Sequence, residues 1–179
     1  LIQVEEIIFQ RAPNLPCYRK AVASNTVQGT VSYTIAPARM IRQVSITNSS
    51  NVQYLNHRID SYLRDYWPNS ATQGTPLFYS TDSASPAGMV ISMAPTPDTA
   101  YAFNVDYIAP ETGLSSGNTT TWISTNAVNV LLSGCLYEAS AFLKAPETLS
   151  LYKTQFDEAI AMLQEEMKRD YAAEYNGGI

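Results

Sequence analysis

Residues 128–167 read VNVLLSGCLYEASAFLKAPETLSLYKTQFDEAIAMLQEEM, and the spacing of their apolar side chains sets the expected architecture. Val128, Leu131, Leu132, Cys135, Leu136, Ala139, Phe142 and Leu143 recur at helical steps and make one apolar stripe. Ser124, Thr125 and Asn126 stand just upstream as candidate N-caps, since their side-chain oxygens can accept from unpaired first-turn amides. Lys144-Ala145-Pro146 breaks the run, and Pro146 with Glu147 suits the first turn of a second helix. Leu149, Tyr152, Phe156, Ile160, Leu163 and Met167 then repeat the stripe. So short a link predicts an antiparallel helical hairpin with a core of Leu131, Cys135, Phe142, Tyr152, Phe156, Ile160 and Leu163. At roughly 1.5–3 kcal/mol per large side chain buried, that hairpin is expected to be the stable base of the chain.

Upstream the period changes from helical to two. Leu77 and Tyr79, then Met89, Ile91 and Met93, then Tyr101, Phe103, Val105 and Tyr107 alternate, which predicts antiparallel strands near 76–81, 88–94 and 100–108. The separators Asp82–Gly88 and Ala94–Thr99 are rich in turn-forming residues. Val31, Tyr33 and Ile35, with Val44 and Ile46, predict a further strand pair. Between these β stretches, Ile59, Tyr62, Leu63 and Tyr66 predict a short helix that Pro68 ends. At the start, Val4, Ile7, Ile8 and Arg11 read as the tail of a helix stopped by Pro13 and Pro16. Because the sequence opens at Leu1 inside that pattern, residues upstream of it are expected. The fold class that follows is α+β: a helical bundle built on the long C-terminal hairpin, with an inserted small antiparallel β region. One domain is expected over 1–179, with helical parts near 1–12, 56–67 and 124–171, β parts near 22–54 and 75–110, and a flexible tail at 172–179.

Composition narrows the function. The chain has 179 residues, a length suited to one core. Only 15% are charged, while Ser, Thr and Asn together number 44. The net charge of −5 offers no cation excess to a nucleic-acid backbone. Residues 1–66 carry seven bases and four acids, and 67–179 carry four and twelve, so the two halves are expected to have different neighbours. Cys17 and Cys135 stand alone without a CxxC pair, and His57 is the single histidine, which argues against a disulfide framework and a Cys/His zinc site. Neither an 18-residue apolar run nor a secretory leader is visible, so no membrane partner is expected and a reducing cytoplasm is the expected place of synthesis.

The search for chemistry assigns no catalytic, cofactor-binding or metal-ligating residue. His57 reads as a surface or capping histidine. Asp98, Asp106 and Glu138 read as solvated charges, with nothing marking the cleft that a carboxylate pair needs. No GxxxxGK[ST] or GxGxxG loop occurs. Asn48-Ser49-Ser50 and Asn118-Thr119-Thr120 are sequons of the kind a Ser/Thr-rich chain contains by chance. Past the hydrophobic stripe, Glu165 to Ile179 mixes charges with Tyr171 and Tyr175 and ends with Gly177-Gly178 before Ile179; fraying is the ordinary expectation for such a tail, and in an assembly the same features suit a segment that orders on a partner.

The order of several motifs resembles a known family. Met93-Ala94-Pro95-Thr96-Pro97-Asp98, the strand Tyr101 to Tyr107, Thr121-Trp122-Ile123-Ser124-Thr125-Asn126, Leu131 to Ala139 and Phe142-Leu143-Lys144-Ala145-Pro146-Glu147 together look like the head-to-tail adaptor proteins of tailed bacteriophages, over roughly residues 75–170. The resemblance implies a structural virion component at the head–tail junction, assembled in the host cytoplasm as a homo-oligomeric ring of twelve copies. Its implied partners are the portal protein, tail or nozzle proteins, and double-stranded DNA that passes through the channel without sequence-specific binding. On that reading Lys168, Arg169, Tyr171 and Tyr175 are the expected portal-docking residues, and Gly134 and Ala139 permit close helix packing. The alternative is a carbohydrate- or receptor-binding module of a virion or cell surface, motivated by the Tyr, Asn and Thr content of 75–122. An enzyme such as a wall hydrolase ranks third, for want of an acid/base pair.

Overall fold

A computed structural model describes the backbone of residues 2–85 and 88–176 and the side chains of 2–82 and 88–169. It divides into two compact units, Leu1–Tyr18 with Pro110–Ile179, and Arg19–Ala109.

The second unit is built of strands: β1 (Arg19–Asn25), β2 (Ser32–Ile35), β3 (Met40–Asn48), β4 (Asn51–Tyr54), β5 (Asn56–His57), β6 (Gln73–Gly74), β7 (Phe78–Ser85), β8 (Gly88–Ala94), β9 (Thr96–Pro97) and β10 (Ala102–Ile108), with a helix α2 (Asp60–Tyr66) between β5 and β6. Two four-stranded sheets run in the orders β1-β10-β3-β4 and β2-β8-β7-β5, and β6 pairs with β9. Alternation decides which side chains point inward. Phe103, Val105 and Tyr107 of β10 are buried between exposed Ala102 and Asn104 and half-buried Asp106. They join Val44 and Ile46 of β3, and Tyr79, Ile91 and Met93 of the other sheet, in one apolar cluster. Tyr33 of β2 reaches Phe103 of β10 with ring centroids 5.3 Å apart. The unit is therefore a two-layer sandwich with its own core. Where β1 ends, buried Thr26 prolongs the pairing: its N–H donates to Tyr101 O at 2.8 Å, and its Oγ1 accepts from the Tyr101 N–H at 2.8 Å.

The first unit is helical: α1 (Ile2–Arg11), α3 (Trp122–Asn126), α4 (Val128–Phe142) and α5 (Pro146–Asn176). Thr121 caps α3 in a reciprocal box with Ser124, which satisfies two first-turn donors. The loop before it is tied to α1 through Glu5, whose carboxylate accepts from the Leu114 N–H at 2.9 Å and from Thr121 Oγ1 at 3.3 Å. Gly113 is needed beside this carboxylate, because a Cβ there would stand 2.8 Å from Glu5 Oε2.

The fold class expected from sequence is corrected here. Strand takes 31% of the chain against 39% for helix, in three sheets, so the molecule is not a helical bundle with a small β insertion on a hairpin base. The β part has a core of its own, and it contains the short helix α2. The reason is legible in β1: no residue in it is buried, so it carries no alternation of large apolar side chains to announce a strand. His57, expected in the first turn of a helix, lies in β5.

Candidate assembly surfaces

The packing centre of the helical unit is Gly134 of α4. A Cβ at that position would lie 2.6 Å from Val4 Cγ1 of α1 and 2.9 Å from Phe156 Cε2 of α5, so the absent side chain lets three helices meet. Phe156 is buried there, with Tyr137 stacked at 6.4 Å and the Arg11 guanidinium 5.2 Å from its ring centroid. Arg11 also pairs with Asp157, and its carbonyl accepts from Gln164 Nε2 at 2.8 Å. Nearby, Tyr18 is buried with Phe9 edge-on at 4.9 Å. Burial, reinforced by Cys17 and the carboxylates Glu111, Glu5 and Glu6, pushes the Tyr18 hydroxyl well above its ordinary value.

Of the residues expected in the hairpin core, Leu131, Phe156, Ile160 and Leu163 are buried, and Cys135 and Tyr152 are half-buried. Phe142 is not a core residue: it is 86% exposed. It closes α4 uncovered, although Ser140 two residues before it is buried and its Oγ lies 3.3 Å from Thr148 Oγ1 of α5.

The expected docking residues lie on the far part of α5. Lys168 donates to Glu165 Oε1 at 2.6 Å, with both side chains largely exposed, and this contact lowers the Glu165 carboxyl below its usual range. Arg169 is exposed. The side chains of Tyr171 and Tyr175 fall outside the described residues, as do residues 177–179 of the expected flexible tail; the backbone of α5 is helical to Asn176.

Two further surfaces, missed from sequence, lie on the β unit. On α2, Tyr62 and Tyr66 stack with centroids 5.8 Å apart, Phe78 stands edge-on to both, and Arg58 lies over Tyr62 at 5.3 Å. Tyr66 and Tyr62 remain 50% and 37% exposed. The helical spacing of the tyrosines was visible, but not that Phe78 of β7 would join them. The second surface is a shallow pocket at one end of the sheet holding β1, β10 and β3, lined by Arg19, Lys20, Arg42, Gln43, Asp106 and Tyr107.

The polar residues weighed for catalysis stay apart. His57 Nε2 is 3.2 Å from Thr81 Oγ1, Asp98 accepts from the Tyr101 hydroxyl at 2.6 Å, and Glu138 lies on α4. Of the two sequons, Asn118 spends its amide on the carbonyls of Thr112 and Gly113, and Ser49 and Ser50 hold positive φ in the β3–β4 turn. Among the described residues no group of three or more His, Cys, Asp or Glu side chains could hold a metal, and no helix is long and apolar enough to cross a membrane. No curated protein matches the chain. A sequence profile described as SU10 adaptor protein matches residues 3–177.

Proposed function

The chain belongs to the SU10 adaptor protein family, consistent with a phage head-to-tail adaptor, and on that premise we propose that it is a structural virion component that forms a ring between portal and tail and continues the DNA channel. The family match over nearly the whole chain carries this reading. We read the protein as a structural part and not as an enzyme, and the whole of 1–179 as one adaptor domain in function, its two compact units serving the same ring. The helical unit supplies a rigid post: Val4, Gly134 and Phe156 lock α1, α4 and α5 together, and α5, at 31 residues, is about twice as long as α4 at 15. That length lets the far part of α5 reach a partner. There Lys168 and Arg169 would face acidic portal groups, with Tyr171 and Tyr175 as anchors.

Deleting 171–179 tests the docking assignment. The truncated chain should melt within a few degrees of the full one, because no described core residue lies beyond Leu163, and should attach to portal rings far more weakly. Undiminished attachment would move the docking element elsewhere.

The carbohydrate-binding alternative needs exposed aromatic platforms, and the tyrosines of 75–122, Tyr79, Tyr101 and Tyr107, are buried. It keeps one observation in its favour, the exposed Tyr62–Tyr66 stack beside Arg58. A glycan screen on the full chain separates the two readings: specific sugar binding lost in Tyr66→Ala would support the alternative.

A further inference from the structure

α4 carries apolar side chains that the helical unit covers and others that it leaves open. Val130, Leu131 and Gly134 are buried within the helical unit, whereas Val128, Leu132, Phe142 and Leu143 are 52%, 56%, 86% and 72% exposed, and Ala139 between them is exposed as well. Steps of four, seven and three residues link Val128, Leu132, Ala139 and Phe142, the spacing of a seam that a second helix packs against. Five exposed apolar positions, along a helix of about 22 Å and the residue that follows it, make a patch of a few hundred Å², the size that marks an interaction site.

Charge and area point to the occupant. DNA is a poor fit, because the seam offers apolar carbon to a phosphate backbone that needs cations. The helical unit as a whole holds eleven acidic and five basic residues, so two copies repel where their charged faces meet. The α4 seam is where they can approach: α4 carries Glu138 as its one charge. Exposed Lys144, held at φ 53° just past the seam, offers a cation to the acidic helical surface of a neighbour. The seam alone falls short of the roughly 800 Å² per partner of a standard stable interface, so it forms the apolar centre of a contact whose rim comes from flanking residues such as Lys144. We propose that the exposed face of α4, from Val128 to Leu143, docks against the helical unit of a second copy of this chain, with Lys144 facing that copy's carboxylates. This rests on the ring-forming reading above and names the surface through which the ring closes.

The test is a Leu132→Glu/Phe142→Glu double variant of the full chain, with Lys144→Glu made separately. Both are followed by sedimentation over a concentration series, alone and on portal rings, and by thermal melting. All three side chains are exposed, so melting should stay within a few degrees of wild type. Self-association should weaken at least tenfold in the double variant and detectably in Lys144→Glu. A double variant that associates as the wild type does overturns the seam while leaving the adaptor reading intact. One that keeps self-association but loses portal attachment assigns the face to the portal and also overturns the proposal. A wild-type chain that stays monomeric at every concentration, free and on portal rings, overturns the proposal and the ring together.

Discussion

Phe156 and Phe142 carry the same side chain on adjacent helices and differ in what surrounds them. Phe156 fills the space that Gly134 leaves open, with Tyr137 stacked on it and the Arg11 guanidinium over its ring. Phe156→Ala should therefore cost about 3–5 kcal/mol in denaturant unfolding. Phe142→Ala, at the exposed end of α4, should cost less than about 0.5 kcal/mol. Equal losses would contradict this packing. Helical phase was readable in the sequence for both residues; which side of α4 the rest of the unit covers was not, because periodicity groups side chains on a face without saying whether a neighbour packs there. Tyr18 adds a pH dependence. Its burial raises the folded-state pKa above the unfolded value of about 10, so its contribution is complete below pH 10. As pH rises further the unfolded chain releases the proton first, and the contribution is progressively lost. Unfolding free energies measured across that alkaline range should fall, and Tyr18→Phe should flatten the fall, leaving a smaller slope from buried Tyr79, whose hydroxyl is also raised. An unchanged slope would mean that Tyr18 is not buried in the folded chain.

Elements were legible in proportion to the contrast in their patterning. β10 announces itself because Phe103, Val105 and Tyr107 alternate with Ala102, Asn104 and Asp106. β1 does not, since its inward and outward positions differ little in polarity and its place in the sheet comes from pairing with β10. β4 and β1 from residue 22 fall within the expected β part 22–54, but neither was resolved as a strand of its own, and β5 and β6 fell outside it, which is why the inserted β part read as small when it is a sandwich with two four-stranded sheets. The β1–β10 pairing gives its own prediction through Thr26, whose Oγ1 also donates to the Thr99 carbonyl at 3.0 Å. Thr26→Val keeps the shape and removes the acceptor for the Tyr101 N–H, at an expected cost of about 1–3 kcal/mol. Amide exchange at Tyr101 should accelerate in parallel, and protection equal to wild type would show that the hydroxyl does not hold this strand end.

At the scale of the whole molecule, the candidate docking residues were readable as types, mixed charge followed by tyrosines past a hydrophobic stripe. The exposed α4 face and the Tyr62–Tyr66 stack were not, because an apolar residue in a periodic run reads as core until its neighbours are known. The chain's acidity, with eleven basic against sixteen acidic residues, offers a phosphate backbone no excess of cations, as the proposed channel role requires. The central claim is assembly on a portal, and the mass of purified portal rings with and without this protein tests it most directly. The account predicts a discrete gain equal to a whole ring of adaptor copies, the same on every portal particle. A portal mass that does not change, or that gains scattered, irregular numbers of chains, would contradict it.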